Sequence, residues 1–325
     1  MIRDEVLKRL WEAGEEYVSG EEIAEDLTVS RTAVWKAVRK LREEGYSIDS
    51  VPNRGYRLSG CKGSLSVSGI RQYLRHRELD IEVHRSLTST NTYLKKMAES
   101  GEAEGKVIVA IEQTGGRGRM GRKFFSPGGT GIYMSILLRP EGPVEKTVAI
   151  TACAAVAVAE TVEEISGRKS EIKWVNDVLL DGKKICGILT EGAVDCEQRS
   201  LDYAIIGIGI NIGMPREGFP EELREVAGSL FDNEDSVFVK CRIAAGVLDR
   251  LMDLYGQMDE KTYMKPYKKR LFLTGKPVNI LTGGKITGRG TVLGLGEDLS
   301  LTVRLDSGET VSLNSGEVSV RAASR

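Results

Sequence analysis

The sequence predicts an α+β multidomain chain: an N-terminal winged helix-turn-helix, a central mixed α/β domain and a small C-terminal SH3-like β-barrel. Three observations carry this. The first sixty residues contain three helix signals followed by an alternating hairpin pattern. Strand-like and helix-like runs then interleave from about Leu65 to Phe272, and from Gly275 onward short strands alternate with glycine turns. The domains are placed at 1–62, 65–272 and 273–325. A chain of 325 residues has room for all three, each with its own core.

Ile2, Val6 and Leu10 have helical spacing, and Ser19 with Glu22 forms a capping box ahead of Ile23, Ala24 and Leu27. A third helix, Arg31 to Glu44, starts at Ser30 and buries Val34, Val38 and Leu41. YSIDSVPNRGYRLS then alternates around Pro52 to Gly55 as a hairpin wing. Charge separates within this region. Residues 1 to 60 hold ten bases and twelve acids, yet Ser30 to Arg42 holds five bases and no acid. A cationic third helix suits docking on phosphates and base edges, so Ser30, Arg31, Thr32, Lys36, Arg39 and Lys40 are the candidate DNA-binding residues. A solvated helix face used for protein contacts is the other reading.

In the central region a helix is predicted at Ser68 to Arg75 and a strand at Ile81 to Arg85. SLTSTN (Ser86 to Asn91) opens a helix through Met97, where Ser89, Thr90 and Asn91 either cap that helix or offer hydrogen bonds to a polar ligand head. A buried strand, Val107 to Ile111, leads into QTGGRGRMGRKFF, Gln113 to Phe125. Four cations fall among the glycines between Gly115 and Lys123, and no acid occurs from Gln113 to Pro140. Glycine lets backbone amides approach an anion, and Arg117, Arg119 and Arg122 supply forked donors. Nucleic-acid binding or a solvated turn would fit the same string. GTGIYMSILLRP reads as a strand and Val148 to Ala159 as a buried helix, too short for a membrane span.

Asp181-Gly182 between two apolar runs signals a hairpin, placing Lys183 and Lys184 at the start of the return strand. If Lys184 turns inward among Ile185, Cys186 and Ile188 it needs an anionic partner. Asp177 suits either magnesium or that lysine, and Asn176 beside it supplies an amide. Tyr203 to Gly213 reads as a strand ending in small residues, as where a backbone closes on a flat ligand. Ser236 to Arg270 is helical by the spacing of Val239, Ile243, Val247 and Leu251. The tail strands are PVNIL, GRGTVLGLG, LSLTVRL, ETVSL and EVSVR.

Bulk composition narrows the chemistry. Net charge is -1, so any attraction to nucleic acid is local. Five scattered cysteines, an odd number without ligand spacing, fit a reducing cytoplasm, and the charged start carries no signal-peptide segment. Neither His76 nor His84 lies near another ligand in sequence, which excludes a histidine-based triad or zinc centre from the expectations.

STN (Ser89–Asn91), GRGRMGR (Gly116–Arg122), KWVND (Lys173–Asp177), GKKICGIL (Gly182–Leu189) and GIGINI (Gly207–Ile212), in this order and spacing, resemble the motifs of the biotin protein ligases. With the winged helix in front and the β-domain behind, the whole chain resembles their bifunctional ligase–repressor members. The resemblance implies a class II synthetase-like centre that joins biotin to ATP as biotinyl-5'-AMP, then to a lysine of a biotin carboxyl carrier protein. It also implies magnesium, operator DNA, a homodimer and no membrane. Ser89, Thr90, Asn91, Gln113, Gly116, Arg117, Gly118, Arg119, Lys184 and Gly187 match residues around biotin. Phe124, Asn176, Asp177, Ile210, Asn211 and Arg321 match residues around the nucleotide. Lys184, Arg119, Arg117 and Asp177 are the expected catalytic residues, Asp177 also the expected metal ligand. Thr88, Val175 and Phe124 depart from the usual aspartate, proline and tryptophan. A transcription factor that only senses biotin, or a lipoate-type ligase, are the alternatives.

Overall fold

The computed structural model describes residues 2–13, 16–43, 46–61, 65–144, 146–195, 200–232, 237–283, 285–314 and 319–322. Helices α1 (Ile2–Glu12), α2 (Gly20–Asp26) and α3 (Arg31–Glu43) precede the hairpin β1 (Tyr46–Val51) and β2 (Gly55–Cys61). Ser19 Oγ accepts from Glu22 N at 3.0 Å, and Ser30 Oγ accepts from Ala33 N at 3.1 Å, so both helix starts read from the sequence are capped. Val6, Leu10, Ile23, Val34, Val38 and Leu41 are buried together with Ile48 and Leu58 of the hairpin. Arg42 donates to Ile48 O at 3.0 Å, which fastens the end of α3 to the wing.

The central domain is built on a seven-stranded sheet of β3 (Asp80–His84), β4 (Lys106–Ala110), β5 (Gly131–Leu138), β6 (Ser170–Lys173), β7 (Asp177–Leu180), β8 (Lys183–Asp195) and β9 (Ser200–Asn211). The order is β3-β4-β5-β9-β8-β7-β6; β3 and β4 are parallel and the other pairs antiparallel. Five helices serve it: α4 (Val67–Tyr73), α5 (Thr90–Glu99), α6 (Lys146–Ser166), α7 (Val237–Gly256) and α8 (Met264–Lys269). Strand alternation divides the sheet. Ile206, Ile208 and Ile210 share the main core with the alanine-rich α6 and with α7, whereas Ile205 packs with Leu94 and Ala98 of α5 on the other face. α6 is buried over most of its length, as its apolar run requires.

Two central elements differ from expectation. β6 is only four residues with two inward positions, too short for its alternation to stand out in sequence. The helical stretch after 236 is two helices, α7 and α8, separated by turns at 257–263.

The tail strands β10 (Pro277–Thr282), β11 (Lys285–Leu295), β12 (Leu301–Leu305), β13 (Thr310–Leu313) and β14 (Ser319–Ala322) form one antiparallel sheet in the order β13-β12-β11-β10-β14. Among the described residues no pairing joins β13 to β14, so this is an open five-stranded sheet and not the closed barrel expected. Each edge strand is four residues long and is paired on one side only. Trp174 of the KWVND stretch donates its indole N–H to Leu299 O at 2.9 Å and so bolts the tail sheet to the central domain.

His76, after α4, fastens that helix to α7. Its ring nitrogens lie 2.6 Å from Glu78 Oε1 and 3.0 Å from Asp253 Oδ1, while Asp249 accepts from the backbone N–H groups of Arg75 and His76. Burial pushes the imidazole pKa down, but the hydrogen bonds and charges of Asp253 and Glu78 outweigh it and the net shift is upward. A raised histidine pKa gives stability that is complete below the unfolded value near ~6.5 and is lost as pH rises through the folded value. The melting temperature should therefore fall on going from mildly acidic to mildly alkaline buffer by an increment missing in His76→Gln. Parallel curves for the two proteins would remove His76 from this account.

Candidate active site

The cleft opens on the α5 face of the sheet, where β8 and β9 carry bare positions. Gly187 stands opposite Gly209 and Leu189 opposite Gly207. A Cβ on Gly209 would lie 2.4 Å from the Phe124 ring, and one on Gly207 would lie 2.1 Å from Asn91 Oδ1. The small residues at the end of the β9 run thus let one side chain from α5 and one from the glycine loop come down onto the sheet.

Ser89 caps α5, its hydroxyl accepting from Thr92 N, so the capping role open to the STN stretch is realised. Thr90 N donates to Gln113 Oε1 at 2.9 Å, and Gln113 Nε2 donates to Ser126 Oγ at 3.0 Å. Ser135 Oγ, fully buried on β5, lies 2.7 Å from Thr90 Oγ1 and 2.6 Å from Asn91 Oδ1. These bonds fix a row of amide and hydroxyl groups along one wall. The loop is fixed at its base: Gly115 N donates to Thr88 O at 2.8 Å, Gly118 N to Arg122 O at 2.7 Å and Phe124 N to Gly116 O at 2.9 Å. Thr88, a departure from the family pattern, acts here through its main-chain carbonyl.

Cations form the opposite wall. The Asp181-Gly182 turn has φ of 50° and 78°, as a tight hairpin requires, and sets Lys184 on β8 opposite Leu179, from where its side chain reaches Asp177. Lys184 Nζ is 2.7 Å from Asp177 Oδ1 and 6.0 Å from the Phe124 ring centroid. The inward lysine has its anionic partner. Arg119 Nη1 donates to Asn176 Oδ1 at 3.2 Å, and Asn176 Nδ2 donates to Ile188 O at 2.8 Å. Arg117 pairs with Glu191 at 3.1 Å.

Ser89, Thr90, Asn91, Gln113, Arg117, Gly118, Arg119, Phe124, Asn176, Lys184 and Gly187 all line this one cleft. Four other expected residues do not, and a fifth has its side chain outside the described residues. Gly116 sits under the loop, where a Cβ would meet Phe124 O at 2.4 Å. Asp177 stands behind Lys184. Ile210 is fully buried in the helix-side core, and Asn211 donates to Gly228 O at 3.0 Å, steadying the segment after β9. The side chain of Arg321 lies outside the described residues; its backbone is in β14. Sequence reasoning missed Glu191, Ser135, Ser126 and Met134. Ser135 was legible only as a small polar residue inside an apolar strand, and Glu191 only as an acid beside Thr190 at the end of one.

No carboxylate, histidine or cysteine lines the cleft among the described residues. Such a site gathers and stabilises negative charge and performs little acid–base work. Cys186, behind Lys184, is fully buried and burial pushes its thiol far up. Asp177 was expected to hold a metal. Its Oδ1 is buried and receives no aligned hydrogen bond, but the Lys184 ammonium already stands against it. No group of three His, Cys, Asp or Glu side chains able to hold a metal occurs among the described residues. These residues do not build a resident metal centre.

On the N-terminal domain Ser30, just before α3, and Arg31, Thr32, Lys36, Arg39 and Lys40 on it are all exposed. Ser30 is engaged as the cap, and Arg39 pairs with Glu43 at 3.1 Å. Trp35, unremarked in the sequence, is 50% exposed between these cations, with the Arg39 guanidinium 5.6 Å from its ring.

Residues 83–211 match the biotin/lipoate A/B protein ligase family, residues 3–57 an HTH domain and residues 273–321 the biotin protein ligase C terminal domain. The chain is 42% identical over 231 residues to the bifunctional ligase/repressor BirA of Bacillus subtilis, covering 70% of each chain. It is 29% identical over 321 residues to the protein of that name from Escherichia coli, covering 96% of each. The biotin protein ligase of Aquifex aeolicus, solved in complex with biotin and ATP, is similar with a TM-score of 0.62 and 28% identity, covering 75% of this chain and 99% of that one. A glycine-floored cationic cleft behind a helix-turn-helix, with this degree of identity along the chain, places the protein in the biotin protein ligase family, among its bifunctional ligase/repressor members.

Proposed function

We propose that this chain activates biotin with ATP as biotinyl-5'-AMP and transfers it to a lysine of a biotin carboxyl carrier protein. The observation that carries this is the convergence of Arg117, Arg119 and Lys184 on a cleft whose other wall is a fixed row of neutral polar groups. In the first step a biotin carboxylate oxygen attacks the α-phosphorus of ATP and pyrophosphate leaves. In the second the acceptor amine attacks the acyl carbon and AMP leaves. Negative charge gathers on phosphate in the first step and on the acyl oxygen in the second, so preoriented cations contribute more than a proton donor. We assign Thr90, Asn91 and Gln113 to the biotin head, Lys184, Arg117 and Arg119 to the carboxylate and phosphate, and Phe124 and Asn176 to the nucleotide. Magnesium belongs with the nucleotide phosphates as part of the substrate. Incubation with ATP, a carrier domain and labelled biotin or lipoate tests the reading. Label from biotin alone on a carrier lysine is expected, and label from lipoate would replace the assignment by the lipoate alternative.

The division 1–62, 65–272 and 273–325 gives the first segment to DNA, the second, class II synthetase-like, to chemistry and the third, with SH3-like strand connections, to support. We infer that the α3 edge contacts operator DNA as a homodimer, with biotinyl-5'-AMP as corepressor. Lys36 and Lys40 would meet phosphates, so Lys36→Ala should weaken binding evenly across sequences and lower the salt slope of log K by about 1. A mobility-shift titration at several salt concentrations measures this, and an unchanged slope would place Lys36 off the DNA. No helix among the described residues is long and apolar enough to cross a membrane.

A further inference from the structure

We propose that Glu191 is a positioning residue for biotin activation, setting Arg117 and Asn91 in place from outside the cleft. The proposal rests on the ligase reading above. Glu191 stands on β8 two residues beyond Leu189, on the same face as Gly187, and is paired in register with Ile205. It does not line the cleft, but it grips two residues that do. Its Oε1 is 3.1 Å from Arg117 Nη1, and its Oε2 accepts from Asn91 Nδ2 at 2.8 Å.

Asn91 is 4% exposed, so the direction of its amide is set by its neighbours. Ser135 Oγ lies at Oδ1, while Glu191 and Leu189 O receive the two amide hydrogens, the latter at 3.2 Å. With both hydrogens spent, Asn91 offers the cleft only the remaining lone pair of its Oδ1. Arg117 is tied differently. Among the described residues Glu191 is the carboxylate ion-paired with a cation of the glycine loop, Arg117; the arginine side chain is half exposed and Glu191 is the more buried partner, so the pair is held from the Glu191 side. One carboxylate thus joins the anion-binding loop to the polar wall across the cleft floor. The nearest plain alternative is a counter-charge that only steadies the fold.

Kinetics of biotin-dependent ATP–pyrophosphate exchange in the full chain separate the two. Wild-type protein is measured first; absence of biotin-dependent exchange there would overturn the ligase reading itself. Glu191→Gln keeps an acceptor for Asn91 but removes the charge facing Arg117. It should raise KM for biotin about tenfold, the size of one charge-assisted hydrogen bond, and leave kcat within about threefold. Because Glu191 acts through Arg117, adding Glu191→Gln to Arg117→Met should worsen KM by no more than about twofold beyond Arg117→Met alone. Unchanged KM in Glu191→Gln, or losses that multiply in the double variant, would overturn the proposal. If Glu191→Gln melts far below wild type, Glu191→Asp, which keeps the charge on a shorter arm, carries the same test and should show a KM between wild type and Arg117→Met.

Discussion

Replacing Lys184 by alanine should lower biotin-dependent ATP–pyrophosphate exchange by about 10²-fold or more, the usual effect of removing one preoriented group that meets developing charge. The loss should fall on kcat as well as on KM, because on the proposed assignment the ammonium meets the carboxylate and phosphate between which the new bond forms. A second consequence follows from the ion pair. Without Lys184 the buried Asp177 Oδ1 keeps neither its cation nor an aligned hydrogen bond, which should cost about 1–3 kcal/mol of stability. The double variant Lys184→Ala, Asp177→Asn should regain most of that stability and none of the activity. Melting curves and exchange rates on the three proteins check both halves. Restored exchange in the double variant would show that Lys184 serves the fold and not the reaction.

Gly207→Ala should raise KM for biotin by about 10²-fold, since displacement of a positioning side chain by about 1 Å has effects of that order. The added methyl would stand 2.1 Å from Asn91 Oδ1 and 2.8 Å from its Cγ, so the Asn91 amide must leave the position that Ser135 and Glu191 define. Overpacking of this kind typically destabilises by about 1–3 kcal/mol, so the protein should stay folded. In an Asn91→Ala background the methyl has little left to displace, and Gly207→Ala should add little to the loss already present. Independent, multiplying losses would mean that Gly207 matters for some reason other than Asn91.

Much of this site was legible in the sequence because local chemistry fixed it. Asp181-Gly182 required a two-residue turn, and that turn put Lys184 opposite the strand bearing Asp177. Ser19 and Ser30 announced their helices, and a lysine among Ile185, Cys186 and Ile188 announced a partner. What could not be read was set by contacts distant along the chain. Glu191 acquires its place from Asn91, one hundred residues away, and from a loop whose arginines do not advertise which carboxylate they meet. Trp174 reads as part of a ligand motif, but its N–H serves Leu299 and joins two domains. Of the barrel expected at the tail only the antiparallel sheet is found: alternation gives strand faces, while closure needs the two edge strands to pair, and among the described residues β13 and β14 do not. Ile210 likewise shares a motif with cleft-lining glycines yet points to the core, because a strand turns successive side chains to opposite faces.

The central claim is that the cationic cleft makes and keeps one particular anhydride. Native mass spectrometry of the protein after incubation with biotin, magnesium and ATP, without a carrier, tests it most directly. One equivalent of biotinyl-5'-AMP retained by the wild-type protein and lost in Lys184→Ala is the predicted result. Retention of biotin or ATP only, or equal retention of the adenylate by both proteins, would contradict it.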